Sequence, residues 1–468
     1  MDTVPGDKFS ITTEQMLRLA PMISPVMHKV DVTVHFFFVP NRILWPNWEK
    51  FITGGQDPDT VPAVPTSSVE TYATGTLADY MGVPTGVEIR GGDVSALPFA
   101  AYTKIYNEYY RDQNLVPEID TTLADGIAYR PDLYVLRKRA WEHDYFTSAL
   151  PWAQKGSAVS IPIGTFNDVP VTHNGDISTV FSSDPLTAGT LKNTTTGNSG
   201  QMQDVNGEYV KITGLTADTS SLAGTPTTIN DLRKAFKLQE WLEKNARGGS
   251  RYIESMLVHF GVKSSDARLQ RPEYLGGNKN PIVISEVLQT AEGTETPQGN
   301  MAGHGIGVGQ SKSITYRCEE HGYIMGIMSV MPKTAYQQGV PRHFLRSNRE
   351  DYYWPTFAHL GEQPILNKEL FYTQDDGLND DVFGYTPRYA EYKYVPSRVA
   401  GDFKDSLAFW HMGRIFTGRP NLNANFVSAD PTHRIFAVED PIDAKIYAHV
   451  YNRIFANRKM PMFGTPTL

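Results

Sequence analysis

Apolar residues fall at every second position from Val30 to Phe38, where Val30, Val32, Val34, Phe36 and Phe38 alternate with Asp31, Thr33 and His35. That period belongs to a strand with one buried face. Phe37 and Val39 make the end of the run apolar on both faces, and Pro40 closes it because proline has no N–H for the ladder. Pro46 then opens a short helical turn with Leu44, Trp48 and Phe51 on one side, ended by Gly54 and Gly55. Phe36, Phe38, Trp45, Trp48 and Phe51 are the predicted core anchor. A helical period appears first at Thr13 to Ala20, a short helix closed by Pro21. It returns after Pro98, where Phe99, Tyr102, Tyr106 and Tyr109 or Tyr110 share a face. Thr228 with Asp231 forms a capping box for a helix whose Ile229, Leu232, Phe236 and Leu242 face one way until Gly248 and Gly249. Ser250 is placed to cap a second helix carrying Ile253, Met256, Leu257 and Phe260, ended by Gly261.

Further strand signals come late. Tyr323 to Met331 is nearly all apolar and is expected to be buried on both faces. Ile435–Val438 and Lys445–Tyr451 flank a turn-like EDPID and read as a hairpin. Early and late strands must therefore pair across the whole chain, as in a Greek key or jelly roll with insertions between strands. Asp57 to Pro98, broken by Pro58, Pro62, Pro65 and Pro84, reads as a long surface excursion. Gly303 to Gln310, GHGIGVGQ, reads as flexible loop. Gly164 to Thr228 is rich in Thr, Ser, Gly, Asn and Asp, with weak strand signals at Val169–Thr172 and Glu208–Thr213. It reads as an inserted β subdomain exposed to solvent, with disorder as the competing reading.

Composition narrows the classes. At 468 residues the chain exceeds one compact core, so two domains or one core with large insertions are expected. With 39 Gly and 31 Pro it should be loop-rich, and its single cysteine, Cys318, excludes a disulfide framework and a multi-cysteine zinc site. The start MDTVPGDKFS lacks a signal-peptide pattern, and no apolar run is long enough to span a bilayer. The net charge of −8 disfavours tight binding of nucleic acid by the surface as a whole and leaves local basic patches open.

No P-loop, G-x-S-x-G or H-E-x-x-H pattern occurs. Cys318 beside Glu319, Glu320 and His321 does not form a dyad, because neighbours on a strand point to opposite faces. Asp375, Asp376, Asp380 and Asp381 could gather a calcium ion through carboxylate oxygens, yet they miss the EF-hand spacing. No metal, cofactor or catalytic residue is expected. Arg137, Lys138 and Arg139, followed by Glu142 and Asp144, read as a solvated charged face. The segment RHFLRSNREDYYWP interleaves Arg342, Arg346 and Arg349 with Phe344, Tyr352, Tyr353 and Trp354. Two readings stand: a single-strand nucleic-acid surface, where cations meet phosphates and rings stack bases, or a β surface with packed aromatics and an arginine network to Glu350 and Asp351. Arg453, Arg458 and Lys459 form a second basic group open to the same two readings.

Several blocks together carry a family resemblance. They are VDVTVHFFFVPNRILWPNWEKF from Val30, DYFTSALPWAQKG from Asp144, NARGGSRYIE from Asn245, DARLQRPEYLGG from Asp266, EHGYIMGIMSV from Glu320, YWPTFAHLGEQPILNKELF from Tyr353 and YAEYKYVPSRVAG from Tyr389. In this order they resemble the major capsid proteins of small single-stranded DNA phages, the Microviridae, and most closely the gokushovirus-like branch. The resemblance implies a mainly β fold: an eight-stranded antiparallel jelly roll of viral capsid type with long loop and helical insertions. It divides the chain into residues 1–163 with the arm and first strands, an exposed insertion at 164–228 forming a threefold protrusion, and 229–468 with the helical insertion and remaining strands. It implies a structural protein without catalysis, assembling through pentamers into a sixty-subunit T=1 icosahedral shell around circular single-stranded DNA. The partners it implies are a small basic DNA-packaging protein, a scaffolding protein and a host cell surface receptor met by the insertion. The implied location is the virion, assembled in the host cytoplasm. A stand-alone carbohydrate-binding jelly roll is the alternative from another class, and a glycoside hydrolase a third, for which no pattern selects two carboxylates.

Overall fold

A computed structural model describes residues 1–55, 60–160, 171–173, 192–193, 202–203, 215–217, 228–293, 297–374, 376–438, 444–460 and 464. The chain divides into two compact units, Gly156–Leu242 and the remainder.

The larger unit is built on two antiparallel sheets. The first has four strands, ordered β1 (Asp2–Thr3), β8 (Gly322–Pro332), β3 (Val30–Pro40) and β4 (Glu273–Pro281). The second has five. β5 (Val283–Leu288) pairs with β6 (Met301–Gln310), and β6 with β2 (Lys8–Leu19). β7 (Ile314–Arg317) continues along the same edge of β2, and β9 (Ile446–Asn457) lines its other edge from Leu19 to Lys8. Residues more than 400 positions apart are thus neighbours; Thr13 Oγ1 donates to Asn452 Oδ1 at 2.7 Å.

β3 is central to its sheet, and its alternation decides what lies on each side. Val34, Phe36 and Phe38 meet Phe9, Ile11 and Ile314 of the second sheet, and Val30 and Val32 meet Leu17 and Leu19. On the other face Phe37 and Val39 enter a cluster with Leu44, Trp45 and the helix α2 (Leu97–Ile105). Of the anchor, Phe36, Phe38 and Trp45 are buried, while Trp48 and Phe51, on α1 (Trp48–Thr53), are partly buried against the same cluster. The α1 turn ends at Gly54 in the left-handed region (φ 77°), as the glycine pair requires. α2 passes into a π turn, Tyr106–Tyr110, and places Phe99, Tyr102, Tyr106 and Tyr110 in the core.

Several expectations are overturned. Thr13–Ala20 is not helix: Thr13 to Leu19 form the second half of β2. Phe9, Ile11, Thr13, Gln15, Leu17 and Leu19 alternate inward, and pairing on both edges overrides the helix propensity of EQMLRL. GHGIGVGQ is not loop but most of β6. Its glycines at 303, 305, 307 and 309 point inward where neighbours crowd the strand: a Cβ on Gly305 would lie 2.7 Å from Leu19 Cδ1 of the adjacent strand, and one on Gly309 2.2 Å from Asn280 Nδ2 of the other sheet. Asp57–Pro98 is more than a surface excursion, since Tyr72, Leu77, Ala78, Ala96 and Leu97 are core residues. Asp57 to Asp59 lie outside the described residues. Tyr323–Met331 is half-open, with Met328 37% exposed. The expected late hairpin is absent, because Lys445–Tyr451 pairs with β2 while Ile435 and Phe436 are buried in the core without joining a strand. Arg139 is not on a solvated face: it donates to Ser329 Oγ (2.9 Å) and lies over the Tyr110 ring.

In the smaller unit the described residues form two short antiparallel pairs, Val171–His173 with Leu215–Ala217 and Lys192–Asn193 with Met202–Gln203. The expected strand Glu208–Thr213 lies outside them. Helix α3 (Ile229–Gly248) starts at the capping box, Thr228 Oγ1 donating to Asp231 Oδ2 at 2.7 Å. In the larger unit α4 (Tyr252–Phe260) takes Arg251 rather than Ser250 as its N-cap. The Arg251 N–H donates to Glu254 Oε2 at 3.2 Å, and Gly261 ends the helix at φ 68°.

Candidate nucleic-acid interface

The RHFLRSNREDYYWP segment folds as two 3-10 turns, Arg342–Phe344 and Arg349–Asp351, preceding the strand Glu362–Leu366. Two of its arginines turn inward. Arg342 Nη1 donates to Glu369 Oε1 (2.8 Å) and to the Pro364 carbonyl (2.7 Å). Glu369 is 5% exposed and also accepts from the Tyr145 hydroxyl (2.9 Å) and the Leu366 N–H (3.0 Å). Burial pushes the Glu369 carboxyl up, and the Arg342 guanidinium opposes it. Arg346 lies 3.7 Å from Glu391 and is sandwiched near the rings of Tyr352 and Tyr392, 5.3 and 4.4 Å from their centroids. Arg342, fixed by a buried carboxylate, and Arg346, held between two rings beside Glu391, both serve the packing. The carboxylates involved are Glu369 and Glu391, not the expected Glu350 and Asp351. Glu369 is 27 positions from Arg342, and no local pattern joins them.

Arg349 is exposed and makes no ion pair among the described residues, while Phe344, Tyr352, Tyr353 and Trp354 are each half or more exposed. Arg342 and Arg346 also line a cavity of about 470 Å³ with Tyr145, Tyr336 and the two glutamates.

The second basic group divides. Arg453 stands on the exposed face of β9, 3.4 Å from Glu14. Arg458 reaches Asp7, whose side chain is 2% exposed, at 2.8 Å and lies over the Phe9 ring. Burial would raise the Asp7 carboxyl, and Arg458 together with the Val4 N–H brings it below its ordinary value. Lys459 is exposed beside Gly6. The six candidate cations therefore do not form one cluster.

The other chemistry candidates are engaged elsewhere. Cys318 is buried and burial pushes its thiol up to about 11, so at neutral pH it stays protonated. Glu320 pairs with Arg42 at 2.6 Å, and His321 packs edge-on against Trp48. Asp380 and Asp381 bind Lys368 (2.5 Å) and Arg419 (2.6 Å); Asp375 lies outside the described residues. Among the described residues no group of three or more His, Cys, Asp or Glu is arranged to hold a metal, and no helix is long and apolar enough to cross a membrane.

The sequence profile of the family described as "Capsid protein (F protein)" matches residues 1–468, the full length of the chain. The chain belongs to this capsid protein family. Its relatives include the capsid protein VP1 of Chlamydia phage 1, 37% identical over all of this chain and 91% of that protein. That of Bdellovibrio phage phiMH2K is 38% identical, covering 99% of this chain and 90% of the relative. That of Spiroplasma virus 4 is 32% identical with the same coverage. These are Microviridae capsid proteins, and the placement made from the sequence blocks holds. For a capsid protein the two-sheet unit is a structural body, and exposed surfaces become candidate contacts with copies or cargo.

Proposed function

We propose that the chain is the wall protein of a T=1 icosahedral shell that encloses circular single-stranded DNA, its two sheets forming an eight-stranded jelly roll with an added short strand. The observation that carries the reading is full-length family membership joined to large apolar side chains left in solvent on ordered elements. Phe260 at the end of α4 is 77% exposed, Val308 on β6 70% and Phe455 on β9 69%. Large apolar side chains left this open on ordered elements are available for burial between subunits. Copies would assemble through pentamers, aided by a scaffolding protein in the host cytoplasm.

The insertion Gly164–Thr228 is proposed as the surface that meets the host receptor, supported by its polar composition and by the separate compactness of Gly156–Leu242. Of the six cations, Arg349, Arg453 and Lys459 are the better DNA-facing residues, because all three are exposed and the one carboxylate among their partners, Glu14 beside Arg453, is itself open to solvent, while Arg342, Arg346 and Arg458 serve carboxylates that are largely buried. A net charge of −8 per copy repels a packaged polyanion, so a small basic partner should share the neutralisation. The test is the cargo of purified particles. Nuclease-protected circular single-stranded DNA is expected; empty particles under every expression condition contradict DNA enclosure.

A further inference from the structure

The strand β9 is exposed along all twelve of its residues. Its partner β2 buries Phe9, Ile11, Leu17 and Leu19, which lie opposite Ala456, Ile454, Ala448 and Ile446, so those four share the inward face. The intervening residues Tyr447, His449, Tyr451, Arg453 and Phe455 therefore share the outward face. Three rings alternate there with two basic side chains. Tyr447 is 55% exposed, Tyr451 50% and Phe455 69%. Rings four residues apart on a strand stand ~13 Å apart, too far to cover one another. None of the three contacts another ring among the described residues.

The charge on this face is opposite to that of the whole chain. Lys8 and Arg18 stand on the outward side of β2, and Arg317 lies opposite Lys8 on β7. With Arg453 that makes four cations on a chain of net charge −8, and Glu14 is the one carboxylate on the same face among the described residues. Lys8, Arg18 and Arg317 form no ion pair among the described residues, so their charge is not spent within the chain.

We propose that the outward face of the second sheet is a track for single-stranded nucleic acid, with Tyr447, Tyr451 and Phe455 as stacking platforms and Lys8, Arg18, Arg317 and Arg453 as phosphate contacts. Unpaired bases present flat faces to rings, and stacking of this kind tolerates any sequence. A duplex hides those faces and would use only the cations. A second copy docking by the same face would bring like charges together, whereas a polyanion complements them. The proposal rests on the reading of the chain as the wall of a DNA-containing shell and assigns where on the subunit the strand lies.

The test uses the full chain and a labelled oligothymidylate of about twenty nucleotides, followed by fluorescence anisotropy across a salt series. Each of Tyr447→Ala, Tyr451→Ala and Phe455→Ala should weaken binding about tenfold, and Tyr451→Phe should restore it. Lys8→Ala and Arg18→Ala should each lower the slope of log affinity against log salt by about 0.7. A duplex of the same length should compete poorly. The side chains altered are half or more exposed rings and surface cations, so melting curves should match the parent. Unchanged affinity in the triple ring variant overturns the proposal. So does a variant whose oligonucleotide affinity is intact while its sedimentation shifts, since the face would then join copies of the chain. Particles separate this inference from the reading beneath it: parent shells without DNA defeat the reading, while ring-variant shells as full as the parent's defeat only the track.

Discussion

Adding one methyl group at successive glycines of β6 should produce a graded loss of stability set by what each Cβ meets. At Gly303 the new carbon would lie 2.2 Å from the Ser24 carbonyl oxygen and 2.8 Å from its carbonyl carbon. That backbone is tied down on both sides, because Met22 and Gly303 exchange hydrogen bonds of 3.1 and 3.2 Å and Ile23 donates to the Ile435 carbonyl at 3.0 Å. At Gly305 the obstacle is the Leu19 side chain at 2.7 Å, which has rotamers to yield but is itself 6% exposed. At Gly307 the nearest atom is Ile282 Cγ1 at 3.2 Å, a displacement of a few tenths of an ångström. Overpacking a tight core costs ~1–3 kcal/mol, against a gain of ~0.4–1 kcal/mol from replacing glycine where its conformation is ordinary. Gly303→Ala should therefore lose ~2–3 kcal/mol and Gly305→Ala ~1–2 kcal/mol, while Gly307→Ala stays near zero. Val308→Ala, on the outward face and 70% exposed, is the control, expected within ~0.5 kcal/mol of the parent. Urea denaturation of the purified variants, followed by circular dichroism, reads the order from the transition midpoints. If Gly303→Ala proves as mild as Gly307→Ala, the cost is not set by what each Cβ meets, and close packing is not what these glycines serve.

Glu142 bridges Lys279 and Lys333 beside the buried Asp31 and should give stability that fades in acid. Burial alone would raise its carboxyl, but the two lysines outweigh burial and hold it at about 2 against an ordinary 4.5. A depressed folded pKa means that the contribution is full above pH ~4.5 and is lost as pH falls toward ~2. At full weight it would be ~3 kcal/mol, and screening at a side chain 34% exposed leaves ~1–2 kcal/mol. Glu142→Gln should remove that much at pH 7 and little at pH 2.5, measured by urea titration; an equal loss at both contradicts the pairing. Cys318 should resist iodoacetamide at pH 7.5 in the folded chain and react fully in denaturant, read by mass spectrometry, and labelling without denaturant contradicts its burial. Arg458→Ala should destabilise by ~3 kcal/mol because it strands the Asp7 carboxylate, whereas Arg349→Ala, at an exposed side chain with no ion pair among the described residues, should leave the urea midpoint unchanged.

Much of the β scaffold is legible where one face decides the pattern. Val30–Pro40 shows it most plainly, because both the alternation and the closing proline survive in the structure. α2, α3 and Gly261 are equally legible, since helical spacing and end signals are local. β2 and β6 are not. EQMLRL has good helix formers and becomes strand only because β6 and β9 flank it, information held hundreds of residues away. The glycine repeat of β6 looks like loop until its neighbours are in place, when Ser24, Leu19, Ile282 and Asn280 stand where side chains would be. For the arginines at 342 and 346 the sequence leaves a nucleic-acid surface and a packed arginine network both open, because their partners, Glu369 and Glu391, carry no local mark. The alternation of Tyr447, Tyr451 and Phe455 with His449 and Arg453 is visible in the sequence. Its meaning needs the register with β2, which puts those five side chains on the outward face.

Assembly is the property on which the account stands. The most direct measurement is negative-stain electron microscopy of the expressed chain, alone and with its scaffolding and basic partners, beside sedimentation of the same samples. Closed shells of uniform diameter, or pentamer-sized intermediates on the way to them, are the predicted result. A chain that stays monomeric in every combination would contradict it.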